Sequence, residues 1–144
     1  MIVREATSKD LESILEMMEY LHPNDPKLSK STARKIFSKI LESDGLSITL
    51  AEQNDQIVGS CYINIIPNLT RGAASYAVIE NVVTHPGFRR RGVGRTLLTQ
   101  ALDQVKTAGC YKVMLLTGGY HGVQKFYESC GMKRGLKTAF IERW

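Results

Sequence analysis

One segment constrains the fold more than any other. A β-branched run over residues 75–84 leads through His85-Pro86-Gly87-Phe88-Arg89-Arg90-Arg91-Gly92-Val93-Gly94 into Arg95-Thr96-Leu97-Leu98. A strand that feeds a glycine-rich turn and opens straight into a helix is the architecture of an anion site. The first turn of a helix carries backbone N–H groups without internal partners and a partial positive charge, so a phosphate placed there is bonded by donors that otherwise need water. Glycines let the backbone come close and take up positive φ where required. Arg89, Arg90, Arg91 and Arg95 fall within seven residues, in a chain with 19 basic and 14 acidic side chains and a net charge of +5. Charge this local suits a compact polyanion at least as well as a duplex.

Spacing narrows the ligand. Gly87-x-x-x-x-Gly92 imitates the start of a nucleoside-triphosphate loop, but Val93-Gly94 stands where that loop requires Lys and Ser or Thr. A kinase or ATPase is excluded on that ground. Gly92-x-Gly94 also begins a dinucleotide fingerprint, yet Leu97 occupies the place of its third small residue, and the strand follows a hairpin in mid-chain.

The rest of the chain reads as alternating periods. Residues 2–6 alternate as a strand; Thr7 then caps a helix that carries Leu11, Ile14, Leu15 and Met18, with Asp10 three residues after the cap. His22-Pro23-Asn24-Asp25-Pro26 forms a loop, and Ala33, Ile36, Phe37, Ile40 and Leu41 mark a second amphipathic helix. Residues 47–52 and 57–66 make a hairpin about Asn54-Asp55, and residues 75–84 a further strand. Val93 to Val105 is a helix that Gly109 terminates, residues 112–117 a buried strand, residues 123–130 a short helix, and residues 137–142 a last alternating strand. The pattern predicts an α/β (α+β) domain with helices packed on a central sheet, and 144 residues without a linker or repeat predict a single domain over 1–144.

Composition excludes other classes. With 43% hydrophobic and 23% charged residues the chain is neither disordered nor fibrous, and no apolar run approaches a membrane span. The start, Met1-Ile2-Val3-Arg4-Glu5, carries no apolar signal segment, which predicts an intracellular, cytoplasmic protein. Cys61, Cys110 and Cys130 are scattered and lack metal-ligand or redox spacing, so reduced thiols and no metal are expected.

Arg89-x-x-Gly92-x-Gly94 after the β-branched strand resembles the acetyl-CoA signature of the GNAT family of N-acetyltransferases. Phe126-Tyr127-Glu128-Ser129-Cys130-Gly131 resembles that family's Phe-Tyr pair followed by Gly, and the order of elements matches its βααβββαβαββ fold, a mixed, mostly antiparallel sheet flanked by helices. Ile79-Glu80-Asn81-Val82-Val83 locally resembles a segment of glucosamine-6-phosphate N-acetyltransferases, whereas Tyr120 stands where many members carry Asn. The resemblance implies acetyl-CoA as cosubstrate, held by Val82, Val83, Thr84, Arg89, Arg90, Arg91, Gly92, Val93, Gly94, Arg95 and Thr96. It implies direct transfer to a primary amine of a small molecule, an amino sugar or another anionic amine, with no covalent enzyme intermediate. Glu80 would act as base, Tyr127 beside the departing sulfur, and a backbone N–H near Val82 or Val83 on the carbonyl oxygen. A bulge in the strand at Glu80 would break its alternation. The acceptor side falls to Tyr20, His22 and residues 68–72, with Arg71 as a clamp for a carboxylate or phosphate. His85 and His121 are weaker acid–base candidates, and a homodimer is compatible with the family. Three rivals stand: a protein or peptide acetyltransferase, a CoA-binding module without turnover, and a nucleic-acid-binding module. Nucleic acid is the least favoured, since no aromatics are interleaved with the arginines.

Overall fold

A computed structural model describes residues 1–118 and 121–144, with the side chain of His121 outside the description. Its elements in chain order are β1 (Ile2–Glu5), α1 (Leu11–Leu21), α2 (Lys30–Leu41), β2 (Leu46–Gln53), β3 (Gln56–Ile66), β4 (Tyr76–Thr84), α3 (Val93–Thr107), β5 (Val113–Met114) and α4 (His121–Ser129). The strands form one sheet in the order β1-β2-β3-β4-β5, antiparallel throughout except for the parallel pair β4 and β5. A parallel pair needs a crossover, and α3 supplies it.

Each helix packs because its apolar stripe has a sheet face to cover. Leu97, Leu98, Ala101 and Val105 of α3 bury completely or nearly so against Cys61 and Ile63 of β3 and Ala77 and Ile79 of β4. Full burial of each large aliphatic chain contributes roughly 1.5–3 kcal/mol. On the other face Ile14 and Met17 of α1 and Phe37 of α2 meet Ile48, Leu50, Ile57 and Val83. Ile36 and Leu41, the outer members of the α2 stripe, are 46% and 39% exposed, so only its centre is core. Asn54 and Asp55 both hold φ near +55, at 52 and 59°, the left-handed pair that a two-residue hairpin turn requires.

The start of α1 departs from expectation. Thr7 does not cap it; the Thr7 backbone N–H and hydroxyl both donate to Asp10 Oδ2, at 2.7 and 2.9 Å, and Asp10 is the residue from which the helix begins. Asp10 is recruited by Arg4, whose guanidinium donates to both its carboxylate oxygens at 2.9 and 2.7 Å and to Glu52 at 2.6 Å. A bidentate charged partner outweighs the neutral cap. This cluster ties β1, β2 and α1 together.

The expected strand over residues 137–142 is not formed. Leu136, Phe140 and Ile141 are 74%, 94% and 64% exposed, and β5, beside which such a strand would lie, pairs at only two residues instead of the six expected. Alternation within a segment supplies a face but no ladder, and a strand without a partner is not stable in water.

Arg4 above all, aided by the Thr7 donors, holds the Asp10 carboxyl well below the usual carboxylate range. A depressed acid stabilises the fold at pH values above its unfolded value, and that contribution disappears as pH falls through the acid range. Asp10→Asn should lower stability at pH 7 by about 1–3 kcal/mol in urea titration. The gap between wild type and variant should shrink on going to pH 3, and an equal gap at both pH values would exclude this role.

Candidate functional site

β4 is paired on both sides only along its first half. Its ladder with β5 ends at Val78, so from Ile79 onward one edge of the strand has no partner strand among the described residues. On the other side the register with β3 slips: Tyr62 pairs with Glu80 and Ser60 with Val83, which places one extra β4 residue opposite Cys61. Asn81, at φ +52, is the bulge. Ala77, Ile79 and Val82 consequently pack toward α3, whereas Val83 packs toward α1. Regular alternation would have put Glu80 on the face of Val82 and Thr84. The bulge puts it on the face of Val83.

A cleft of about 500 Å³ has for its walls the end of β4, the turn before α3, the end of α1 and α4. Val82, Val83, Thr84, Arg89, Arg90, Gly92, Val93, Gly94 and Arg95 all line it, as does Tyr20. Gly92 sits at φ +84 as the residue before α3, and a Cβ built there would meet nothing within 4 Å. Its side is open to a ligand. The first helical bond runs from Thr96 N–H to Gly92 O at 3.0 Å, which leaves the N–H groups of Val93, Gly94 and Arg95 without helical acceptors. Thr96, its donor already used, is not in the lining.

Gly94 has a different task from the one its motif suggests. A Cβ there would lie 3.1 Å from Thr84 Oγ1 and 3.3 Å from Phe126 Cζ, so the glycine lets β4, α3 and α4 close on one another. The arginines also divide. Arg89 Nε donates to Thr84 O at 3.3 Å and Arg90 holds φ +61, both beside the free helix start. Arg91 lies outside the lining with its guanidinium 5.7 Å from the Phe88 ring centre. Arg95 lines the cleft but donates to Ser129 O and Ser129 Oγ at 2.7 and 3.0 Å, clamping α3 to the end of α4. Among the described residues, Arg89 and Arg90 at the mouth of the cleft engage neither a carboxylate nor α4.

Tyr127 lies on α4 with its ring packed at the core edge, and Glu80 is exposed rather than buried in the sheet. Burial above all holds the Tyr127 phenol above its ordinary value, and the charges that Cys61, Glu80 and Cys130 carry when ionised add to it. The phenol is therefore a protonated donor near neutral pH, and among the described residues its hydroxyl has no partner. Glu80 and Tyr127 are 47 residues apart in sequence, and the fold brings them close enough for the Glu80 charge to act on the phenol. Cys61, fully buried, is pushed up to about 12 by desolvation, which removes it as a nucleophile.

Tyr20, expected on the acceptor side, is already engaged. Its hydroxyl donates to Glu16 Oε1 at 2.9 Å and lies 3.2 Å from His85 Nε2, while His85 Nδ1 accepts from Gly87 N–H at 3.1 Å. His85 thus fixes the turn that precedes the arginines. Arg71 stands outside the cleft, over the Tyr111 ring at 5.8 Å. Tyr120 lies outside the described residues. Tyr127, Leu21, Val123 and Phe126 complete the lining, and Ser129 anchors Arg95; Tyr127 and Phe126 are legible from their motif, the others only from the fold.

A sequence model described as the Acetyltransferase (GNAT) family matches residues 12–132. A solved structure from Agrobacterium tumefaciens str. C58, provisionally assigned as an acetyltransferase, is 44% identical with a TM-score of 0.95, covering 100% of both chains. A glucosamine 6-phosphate N-acetyltransferase of Trypanosoma brucei brucei is 28% identical over 131 residues, 91% of this chain and 88% of its own. An aminoglycoside N-acetyltransferase solved in complex with CoA shares the fold at 20% identity and a TM-score of 0.81, over 99% of this chain and 93% of that one.

The buried thiol gives a pH signature. Because the folded Cys61 value lies above the ordinary thiol value of ~8.5, the unfolded chain ionises first and stability falls as pH rises from there toward 12, by up to about 1.4 kcal/mol per pH unit. Chemical denaturation from pH 7.5 to 10.5 should show this decline, and Cys61→Ala should flatten it. An unchanged slope in the variant would rule the thiol out as its source.

Proposed function

The chain belongs to the acetyltransferase (GNAT) family, and from that footing we propose that it moves an acetyl group from acetyl-CoA directly to the primary amine of a small, anionic molecule. The observation that carries this reading is the meeting, in one cleft, of a helix start, two arginines, a strand edge and a phenol that, among the described residues, have respectively no helical acceptor, no carboxylate, no partner strand and no hydrogen-bond partner. Each has a counterpart in the donor. The Val93, Gly94 and Arg95 N–H groups with Arg89 and Arg90 would hold the pyrophosphate, and the open side of Gly92 lets its oxygens approach the backbone. The unpaired edge of β4 offers a backbone N–H near Val82 or Val83 to the carbonyl oxygen. The ligand's thioester supplies an activated acetyl group.

The protein's own part is proton management and placement. A primary amine with a pKa near that of lysine, ~10.4, is mostly protonated at neutral pH, and Glu80 is exposed where it can take that proton, directly or through water. Tyr127 then donates a hydrogen bond to the departing sulfur. Full transfer from a phenol near ~10 to a thiolate near ~8.5 runs uphill by about 2 kcal/mol, and the burial of Tyr127 makes it steeper, so the hydroxyl stabilises the thiolate without surrendering its proton. Similarity to glucosamine 6-phosphate and aminoglycoside N-acetyltransferases supports a small-molecule acceptor. Intracellular acetyl-CoA makes the cytoplasm the proposed compartment.

A panel of amino sugars, amino-sugar phosphates, polyamines, amino acids and peptides, read by release of free CoA thiol, tests the reading. An anionic small amine should give the highest kcat/KM; a cationic peptide or polyamine at the top would replace it with the peptide-acetyltransferase reading. Arg89→Gln with Arg90→Gln should weaken acetyl-CoA binding at least tenfold by calorimetry. Glu80→Gln should depress kcat most at low pH with acetyl-CoA affinity retained, and a profile superimposable on wild type would remove Glu80 from the chemistry. Tyr127→Phe should leave the melting temperature nearly unchanged while kcat falls ten- to a thousandfold. Full activity would reduce the ring to packing.

A further inference from the structure

Two cations and two tyrosines gather at the start of β4, away from the cleft. Lys112 Nζ lies 5.1 Å from the Tyr76 ring centre and 5.4 Å from that of Tyr111, and Arg71 Cζ lies 5.8 Å from the Tyr111 ring centre. The rings themselves meet edge to face at 6.5 Å. Among the described residues neither Lys112 nor Arg71 has a carboxylate or a side-chain hydrogen bond. Cation–π contacts position both charges without neutralising them.

The loop that carries Arg71 is held in an uncommon shape. Arg71, Gly72 and Ala73 take φ of 57, 66 and 64°, and only one of the three is glycine. The Asn68 amide spans the loop, donating to Thr70 O and Ala74 O at 3.0 and 3.1 Å. Left-handed non-glycine residues persist only where their surroundings fix them, which is characteristic of sites under functional constraint.

Position links this cluster to the chemistry. Ala77 and Ile79 face α3, so Tyr76, Val78 and Glu80 share the opposite face of β4 ahead of the bulge. Val113 also packs toward the α3 core, which puts Lys112 on the Glu80 face of the neighbouring strand. Four residues of extended chain separate Tyr76 from Glu80, on the order of 13 Å between Cα atoms. Resting on the acetyltransferase reading above, we infer that Lys112 and Arg71, framed by Tyr76 and Tyr111, bind the compact oxyanion of the acceptor while its amine lies at Glu80. The tyrosine rings flank the rest of the molecule, and the two uncompensated cations select amines that carry a phosphate or carboxylate at the far end.

Matched amines that differ only in a terminal phosphate, carboxylate or hydroxyl distinguish the sources of charge. Lys112→Gln and Arg71→Gln should each raise KM for the anionic acceptor at least tenfold, leaving its kcat, the KM for acetyl-CoA and the KM for the hydroxyl analogue unchanged. Inorganic phosphate should compete with the acceptor and not with acetyl-CoA. It should also shift the amide resonances of Tyr76, Tyr111 and Lys112, an effect lost in the double variant. Turnover in which the hydroxyl analogue matches the anionic amines, or phosphate that leaves those resonances unmoved, would overturn the inference. Resonance shifts with no amine turned over would instead overturn the acetyltransferase reading and leave the anion site standing.

Discussion

Everything at the site depends on the parting of two strands. A parallel pair is normally buried along its length, with each backbone group met by its neighbour. Here β4 and β5 meet at Ala77↔Val113 and Val78↔Met114 and then separate. The separation holds open because α3 is wedged behind it, with Val93, Leu97 and Leu98 fully buried against β3 and β4, and because α4 fills the far side with Phe126. The unpaired edge would be a liability on a free surface. Enclosed between α1, α3 and α4 it is instead a row of fixed donors and acceptors in a partly desolvated groove. Fixed dipoles need no reorganisation when charge develops nearby, and this is where rigid backbone outperforms water.

Much of this was legible from the chain. The strand, turn and helix from residue 75 to Val105 were fixed by local physics, β-branching, glycine and apolar period acting together, and the cleft lies where that segment placed it. The hairpin at Asn54-Asp55 was equally plain, since few residues tolerate two successive left-handed conformations. What sequence could not decide were choices made at a distance. Thr7 looked like a cap because Arg4, three residues away and across a strand from Glu52, carries no local mark of its partnership with Asp10. Residues 137–142 alternate correctly, but a ladder is a property of two segments. The arginine run read as one feature, and tertiary contact divided it, sending Arg95 to Ser129 and Arg91 to Phe88.

Charge in this molecule is distributed by use rather than by sum. Four of its acids are spent on ion pairs, with Asp10 and Glu52 on Arg4, Glu19 on Lys27 and Glu128 on Arg134. Among the cations that no carboxylate pairs in the described residues, Arg89 and Arg90 lie beyond the last residue of β4, and Arg71 and Lys112 about its first. Glu80 stands between them. A strand with positive charge at both ends and a carboxylate midway fits the proposed transfer, in which two anions meet and an ammonium group loses a proton. Salt should screen the outer charges far more than the shielded backbone donors.

The single inserted residue at Asn81 works as a phase shifter. Pleating gives a strand two registers, one for each side, and no residue of a regular strand can serve both. By slipping half a period between Glu80 and Val82, β4 changes register in mid-course: its first half presents one parity to the core and its second half the other. Two short strands of opposite phase are thereby joined without a break in the chain. The Glu80 side chain and the backbone beyond the bulge therefore belong to one continuous rigid element, although the side chains before and after it answer to opposite faces.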